Sequence, residues 1–365
     1  METEMLSMFD KTAGSRTSAH GLSRRQAMGL FAGLLVAAKV SPALAAPAVE
    51  KSAKIAAGLY ELVVSSTTGL VHVASTGQRG GNDAAILGLD PQTLAVRATI
   101  KPDEPAFGLA VNDHTGMLYT TNTRSGSVSM IDLKTGLVAA KLAKGERAHV
   151  RQVVVDEEGN RAFVSVPGFR GATSAIWIID GATQQITQVI EEGLGEGVSA
   201  LALDRAGNRL FAASFTGNEV LEIDLATRAV KRRFPSGGEA AINIAFNPAN
   251  NRIFVAHQKS GTLVALDANA GTVIKSTATG EGALGVTLAA NGTVYVANRG
   301  AGTVSLVNGG TMELLASLPT GSHPNTVAVD RRSGLAYVTN KASSGGRDAP
   351  PVDDPNGDTI SIIRA

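Results

Sequence analysis

The chain repeats itself, and the repeat decides what it can fold into. A short apolar strand centred on an aromatic residue recurs as "LYTTN" from Leu118, "AFVSV" from Ala162, "LFAAS" from Leu210, "IFVAH" from Ile253, "VYVAN" from Val294 and "AYVTN" from Ala336. The anchors Tyr119, Phe163, Phe211, Phe254, Tyr295 and Tyr337 are spaced 44, 48, 43, 41 and 42 residues apart. A weaker first copy, "VHVAST", begins at Val71. A unit of this period cannot bury its apolar surface alone and must stack on its neighbours.

Each unit has four parts. An alternating segment such as "NTVAVD" (Asn325–Asp330) is followed by a tight turn, "RRSG", and the aromatic strand. After a loop comes a third strand such as "SVSMID" (Ser127–Asp132), then a turn, "LKTG", and a fourth strand, "LVAAKL". Alternation at period two with Gly, Asn and Asp at the turns predicts short antiparallel strands, and four per unit predicts a propeller blade. The fold class is all-β, a propeller of seven blades. The last copy ends at "TISIIRA", its third strand, so the segment Val49–Ala57 is expected to supply the fourth and close the ring.

The first residues read differently. "LSRRQAMGLFAGLLVAAKVSPALA" carries the pair Arg24 and Arg25, a short apolar run from Ala27 to Ala38, and the small-residue pattern Ala43-Leu44-Ala45. This is the pattern of an export signal over residues 1–45, too short to span a membrane. The arginine pair resembles a twin-arginine signal, and an ordinary secretory signal would lead to the same compartment. The expected location is the periplasm, with residues 46–365 as the propeller and no transmembrane segment in the mature chain. The sequence has no cysteine, which excludes disulfides and thiolate metal sites.

Charge matters for its placement. The chain has 33 Lys and Arg against 32 Asp and Glu. Residues 1–45 hold five of the bases and three of the acids, leaving 28 against 29 in the mature chain. Yet the loop after the aromatic strand carries Arg79, Arg124, Arg170, Lys259, Arg299 and Lys341 in six of seven copies. The loops joining successive blades add Arg147, His149, Arg151 and His323 on the same face. These ten residues predict an electropositive mouth to the central channel that suits an anionic ligand, because guanidinium groups grip carboxylate and phosphate bidentately. On the opposite face the turns carry Asp113, Asp156, Glu157, Asp204, Asp224, Asp267 and Asp330, expected to bond their own backbone. Asn122, Asn298 and Asn340 are expected to hold loop backbone. His149, His257 and His323 share no local metal-ligand spacing, and no nucleophile elbow, phosphate loop or zinc-protease motif is present. Gly-rich "SSGGRDAPPVDDPNGD" (Ser343–Asp358) reads as a long loop at the mouth.

"AYVTN", "VYVAN" and "LYTTN" resemble the YVTN β-propeller repeat family. "GLYELVVSSTTGLVHVAST", "LGLDPQTLAV", "AIWIIDGATQQITQVI", "LALDRAGNRLF" and "HPNTVAVD", with "VDDPNGD" before the final strand, resemble its exported YncE-like branch over essentially the whole mature chain. The resemblance implies a seven-bladed, periplasmic, monomeric protein without demonstrated catalysis. It also implies an association with DNA, especially single strands, and with iron-regulated expression. The partner would then be a nucleic-acid strand, or a small ligand or periplasmic protein tied to iron or cofactor acquisition; no cofactor is identified. Strand binders stack bases on exposed aromatics, for which Phe107, Phe169 and Phe215 lie near the face, whereas Trp177 reads as packed. YVTN propellers also resemble propeller lactonases, and a hydrolase of that type would draw on His149, His323 and Glu239.

Overall fold

The computed structural model describes residues 46–78, 80–145, 148–343 and 352–365. The described residues form seven four-stranded antiparallel sheets, each built from one repeat and following the others around a central channel. The inner strands of blades 1 to 7 are Leu59–Val64, Gly108–Asn112, Val153–Asp156, Val198–Asp204, Ala241–Asn247, Ala283–Leu288 and Pro324–Val329. The outer strand of blade 2, Leu137–Ala143, alternates between exposed and half-buried residues, because one of its faces meets water. The middle strands are buried nearly throughout, as Arg209–Ser214 in blade 4 illustrates.

Blade 7 closes the ring as the sequence implied. Ala48–Lys54 pairs antiparallel with Thr359–Arg364 and forms the outer strand of that blade. Ser52 lies opposite Ser361, their hydroxyls 2.8 Å apart, and Glu50 forms an ion pair with Arg364. The edge of the last strand is thereby paired.

The core lies between blades. Phe211 of blade 4 packs with Ile244 and Val255 of blade 5, Tyr295 of blade 6 with Val327 and Val338 of blade 7, and Tyr337 of blade 7 with Leu62 and Leu89 of blade 1. In blade 1 the anchor position is taken by His72, whose Nε2 lies 2.9 Å from the Thr68 hydroxyl. Burial lowers the His72 imidazole to about 4. Trp177 is buried, packed with Val153 and Val164 of its own blade and Met130 of blade 2.

The aspartates of the turn face organise their own turns. Asp156, Asp204, Asp224, Asp267 and Asp330 each accept a backbone N–H two or three residues on, at 2.8–3.0 Å. Asp113 differs, because it accepts from the Ser65 hydroxyl and the Ser66 N–H of blade 1, both at 2.6 Å, and so joins two blades. The asparagines after the anchors act mainly on the third strand. Asn122 Nδ2 donates to Ser127 and Ser129 Oγ, Asn298 to Thr303 and Ser305, and Asn340 to Thr359 and Ser361. Asn298 and Asn340 also donate to the carbonyls of Thr279 and Thr320 at the blade junctions. Blade 5 puts His257 in this position. It is fully buried, with Nε2 3.0 Å from the Ser236 hydroxyl.

Candidate functional site

The mouth owes its shape to a recurring irregularity. In blades 4 to 7 one residue of the inner strand, Ser199, Ile242, Leu284 or Asn325, falls in a register shift and has no partner on the next strand. In blade 1 Tyr60 and Glu61 together oppose a single residue. Such a bulge re-aims the side chain and backbone where it occurs. Repeated around the ring, it turns a tier of residues toward the channel at the loop face.

Three of the bases singled out by the repeat converge on this tier. Lys341 of blade 7 lies over the Tyr60 ring of blade 1, with Nζ 3.2 Å from the centroid. Arg124 of blade 2 lies over Phe107, its guanidinium carbon 5.4 Å from that centroid. Tyr60 and Phe107 meet edge to face at 4.6 Å. Arg299 of blade 6 donates to Asn325 Oδ1 at 3.1 Å, and Asn325 Nδ2 reaches the Tyr60 carbonyl at 3.4 Å. Both guanidinium groups act on the lysine amine. Burial first, then Arg299 and Arg124, push Lys341 down to about 7, with Asp358 opposing.

The other predicted residues are distributed differently. Lys259 is 2.5 Å from Glu239 of its own blade, and its side chain is 75% exposed. Arg170 is exposed, with a left-handed backbone (φ 57°) at its loop tip. His149 meets Phe169 edge to face at 5.8 Å; partial desolvation, then Arg151, lowers its pKa. His323 is left-handed as well (φ 43°) and accepts the Lys341 N–H on its carbonyl. Arg79, Arg147 and the pair Arg24 and Arg25 lie outside the described residues. His149, His323 and Glu239 stand at three different blade junctions, and no hydrogen bond among the described residues connects them. Among the described residues no group of three or more His, Asp and Glu is placed to hold a metal.

Arg151 reaches deepest. From the start of blade 3 its Nη1 donates to the Ser199 carbonyl of blade 4 at 2.5 Å and the Ile242 carbonyl of blade 5 at 3.3 Å. It faces Glu61 of blade 1 without an ion pair. Glu61 Oε2 accepts the Leu109 N–H at 3.1 Å. Burial raises Glu61 to about 7, even though that N–H and Arg151 both lower it. Burial likewise lowers Arg151, with Glu61 opposing. Water can enter beside Glu61, but protein surrounds the carboxylate, so desolvation prevails over attraction. Gly108 permits this approach, since a Cβ there would lie 2.7 Å from the Arg151 carbonyl and 2.5 Å from Thr121 Oγ1.

Two spaces open from the mouth. A small cavity of about 140 Å³ inside the channel is lined by Glu61, Gln152, Asn243 and Thr326 among others. Several of these polar groups close gaps between inner strands that no ladder joins. Gln152 Oε1 accepts the Leu201 N–H at 2.7 Å, and Thr287 Oγ1 donates to the Val327 carbonyl at 2.6 Å. A larger groove of about 470 Å³ lies between blades 6 and 7, lined by Arg299, Ser322, His323, Ser343 and Asn356. Tyr60 and Glu61 were not among the residues singled out by the repeat. The available signal was the charge that interrupts the apolar inner strand "LYELVV".

No protein-family model matches the chain. It is 30% identical over 335 residues, 88% of this chain and 93% of the relative, to the uncharacterized protein YncE of Escherichia coli strain K12. It is 30% identical over 328 residues to the protein of that name in Escherichia coli O157:H7, covering 86% of this chain and 91% of the relative. To the Salmonella typhi protein it is 28% identical over the same length and shares. Among the described residues no helix is long and apolar enough to cross a membrane.

Proposed function

The chain belongs to the YncE family of seven-bladed β-propellers, and we propose on that premise that it is an exported binding propeller whose functional face is the basic mouth of the channel. The observation that carries this reading is the convergence of Lys341, Arg299 and Arg124 on one aromatic-lined rim, in a chain whose charges otherwise cancel. Cations gathered on a concave, partly desolvated surface raise the local anion concentration and orient carboxylate or phosphate groups. The protein acts in the periplasm as a monomer, after residues 1–45 are removed.

Of the anionic partners the family suggests, a small ligand fits the mouth better than a nucleic-acid strand. Tyr60 and Phe107 already carry Lys341 and Arg124 on their faces, so bases could stack there only by displacing them. Phe169, 43% exposed, already meets His149 edge to face. The two classes differ in their salt dependence, because a strand releases a counterion for each phosphate neutralised. The test is to titrate the purified protein with citrate by calorimetry and with a fluorescein-labelled oligothymidylate by anisotropy, each from 20 to about 200 mM salt. The expected result is citrate binding with a shallow salt dependence. Tight oligonucleotide binding with a steep slope would assign the mouth to strands, and binding of neither probe would reject the mouth as an anion site.

A further inference from the structure

The mouth sets a lysine amine beside two guanidinium groups, one of which lines a groove. Lys341 Nζ is walled on one side by the Tyr60 ring. Its charged neighbours are Arg299 and Arg124, with Asp358 opposing them. Asp358 Oδ1 is itself engaged by the backbone N–H groups of Gly58 and Ala342, at 3.1 and 3.3 Å. Arg299 belongs to two features at once, since it neighbours Lys341 and lines the groove between blades 6 and 7 with Ser322 and His323. That groove, at about 470 Å³, is large enough for a small organic anion.

A lysine sheltered from water beside other cations gives up its proton readily and becomes a nucleophile toward carbonyl carbon. The face of the Tyr60 ring favours the charged form, as does Asp358. Burial and the two guanidinium groups outweigh them and bring Lys341 to about 7. At neutral pH a large fraction of the amine is then free to react, in contrast to an ordinary lysine.

We propose that Lys341 captures an anionic carbonyl compound, an aldehyde or 2-oxo acid whose phosphate or carboxylate lies against Arg299 in the groove, as a reversible imine. This deepens the reading of the mouth as an anion site and rests on it. The neutral amine attacks the carbonyl carbon to form a carbinolamine. A proton passes from nitrogen to the former carbonyl oxygen, which leaves as water as the C=N bond forms. Hydrolysis reverses the sequence, and no oxidant or reductant is required.

The test uses two aldehydes that differ by one phosphate. The purified protein is incubated with pyridoxal 5′-phosphate or with pyridoxal, the imine is reduced with borohydride, and modified lysines are mapped by peptide mass spectrometry. Lys341 is expected to react at least about tenfold faster than exposed Lys134 and Lys144 at pH 7.5, with its labelling half-maximal near pH 7. Relative to the same ratio at exposed Lys134, the phosphorylated aldehyde is expected to outpace pyridoxal at Lys341 by about tenfold, an advantage that Arg299→Gln abolishes. Labelling of Lys341 no faster than of Lys134 would overturn the imine while leaving anion binding intact. Selective labelling of Lys341 at equal rates by both aldehydes would overturn the anion site beneath it. The comparison of aldehydes in the wild-type protein stands even if the Arg299 variant folds poorly.

Discussion

Arg151 of the third blade donates through Nη1 to the carbonyl of Ile242, 3.3 Å away in the fifth. The same nitrogen holds the Ser199 carbonyl of the blade between them. These carbonyls sit at bulges, where ladder bonding is interrupted, and the guanidinium shares them with the Ser165 and Ser199 hydroxyls. Arg151→Ala is expected to cost about 1.5–3 kcal/mol, the range for hydrogen bonds to a charged partner. Urea unfolding measures this directly, and a loss below about 0.5 kcal/mol would show that water replaces the side chain at no cost.

Glu61 is expected to make stability depend on pH in a direction unusual for a carboxylate. Its folded value is raised to about 7 from 4.5. Between those values the folded chain keeps a proton that the unfolded chain releases, so stability falls as pH rises through this window. His72 and His257, both lowered to about 4, act oppositely between pH 4 and 6.5. The difference between wild type and Glu61→Gln isolates the carboxyl, and glutamine can still accept the Leu109 N–H. The variant's relative stability is expected to be about 2 kcal/mol greater at pH 7.5 than at pH 4.5, a figure reduced from the full shift because water enters the channel. Parallel pH profiles for the two proteins would contradict it.

His257 stands where blades 2, 6 and 7 have asparagine. Its Nδ1 and the Thr262 hydroxyl are both buried with no hydrogen-bond partner among the described residues. In blades 2 and 6 the asparagine donates to the hydroxyl five residues on, as Asn298 does to Thr303 at 3.1 Å. His257→Asn is expected to restore that bond and to lose packing against Gly238, leaving stability within about 1 kcal/mol of wild type at pH 7.5. Below pH 6.5 the unfolded histidine binds a proton that the buried one excludes, so wild type weakens more than the variant, which keeps only His72 of the two buried imidazoles. The variant is expected to lead by about 1–2 kcal/mol at pH 5, read from urea midpoints.

The architecture could be read from sequence because its determinants are local. Alternation, turn residues and aromatic anchors recur within each unit, and the missing strand of the last copy pointed to Val49–Ala57. The mouth could be read only in part. A shared repeat position placed Arg124, Arg299 and Lys341 on one face, but their inward direction comes from Phe107, Asn325 and Tyr60, the last two in the neighbouring blades. Lys259 lies in the equivalent loop and pairs instead with Glu239 of its own blade. Glu61 was visible as a charge in an apolar strand, whereas Arg151 opposite it lies 90 residues further along the chain.

Export is testable apart from the fold. Arg24→Lys with Arg25→Lys is expected to leave precursor in the cytoplasm, detected by fractionation and immunoblotting, because the twin-arginine route reads the pair. Normal delivery of the doubly substituted chain to the periplasm would assign the ordinary secretory route.

The functional face can be tested by reversing charge on each side of the ring. Arg124→Glu with Arg299→Glu changes the mouth; Arg228→Glu with Arg331→Glu makes the same net change at exposed turns on the opposite face. Binding of citrate at about 20 mM salt is followed by calorimetry for both variants and wild type. The mouth variant is expected to lose at least about tenfold in affinity, with the opposite-face variant within about threefold of wild type. Equal losses in the two variants, or no loss in the mouth variant, would contradict a binding face at Lys341, Arg299 and Arg124.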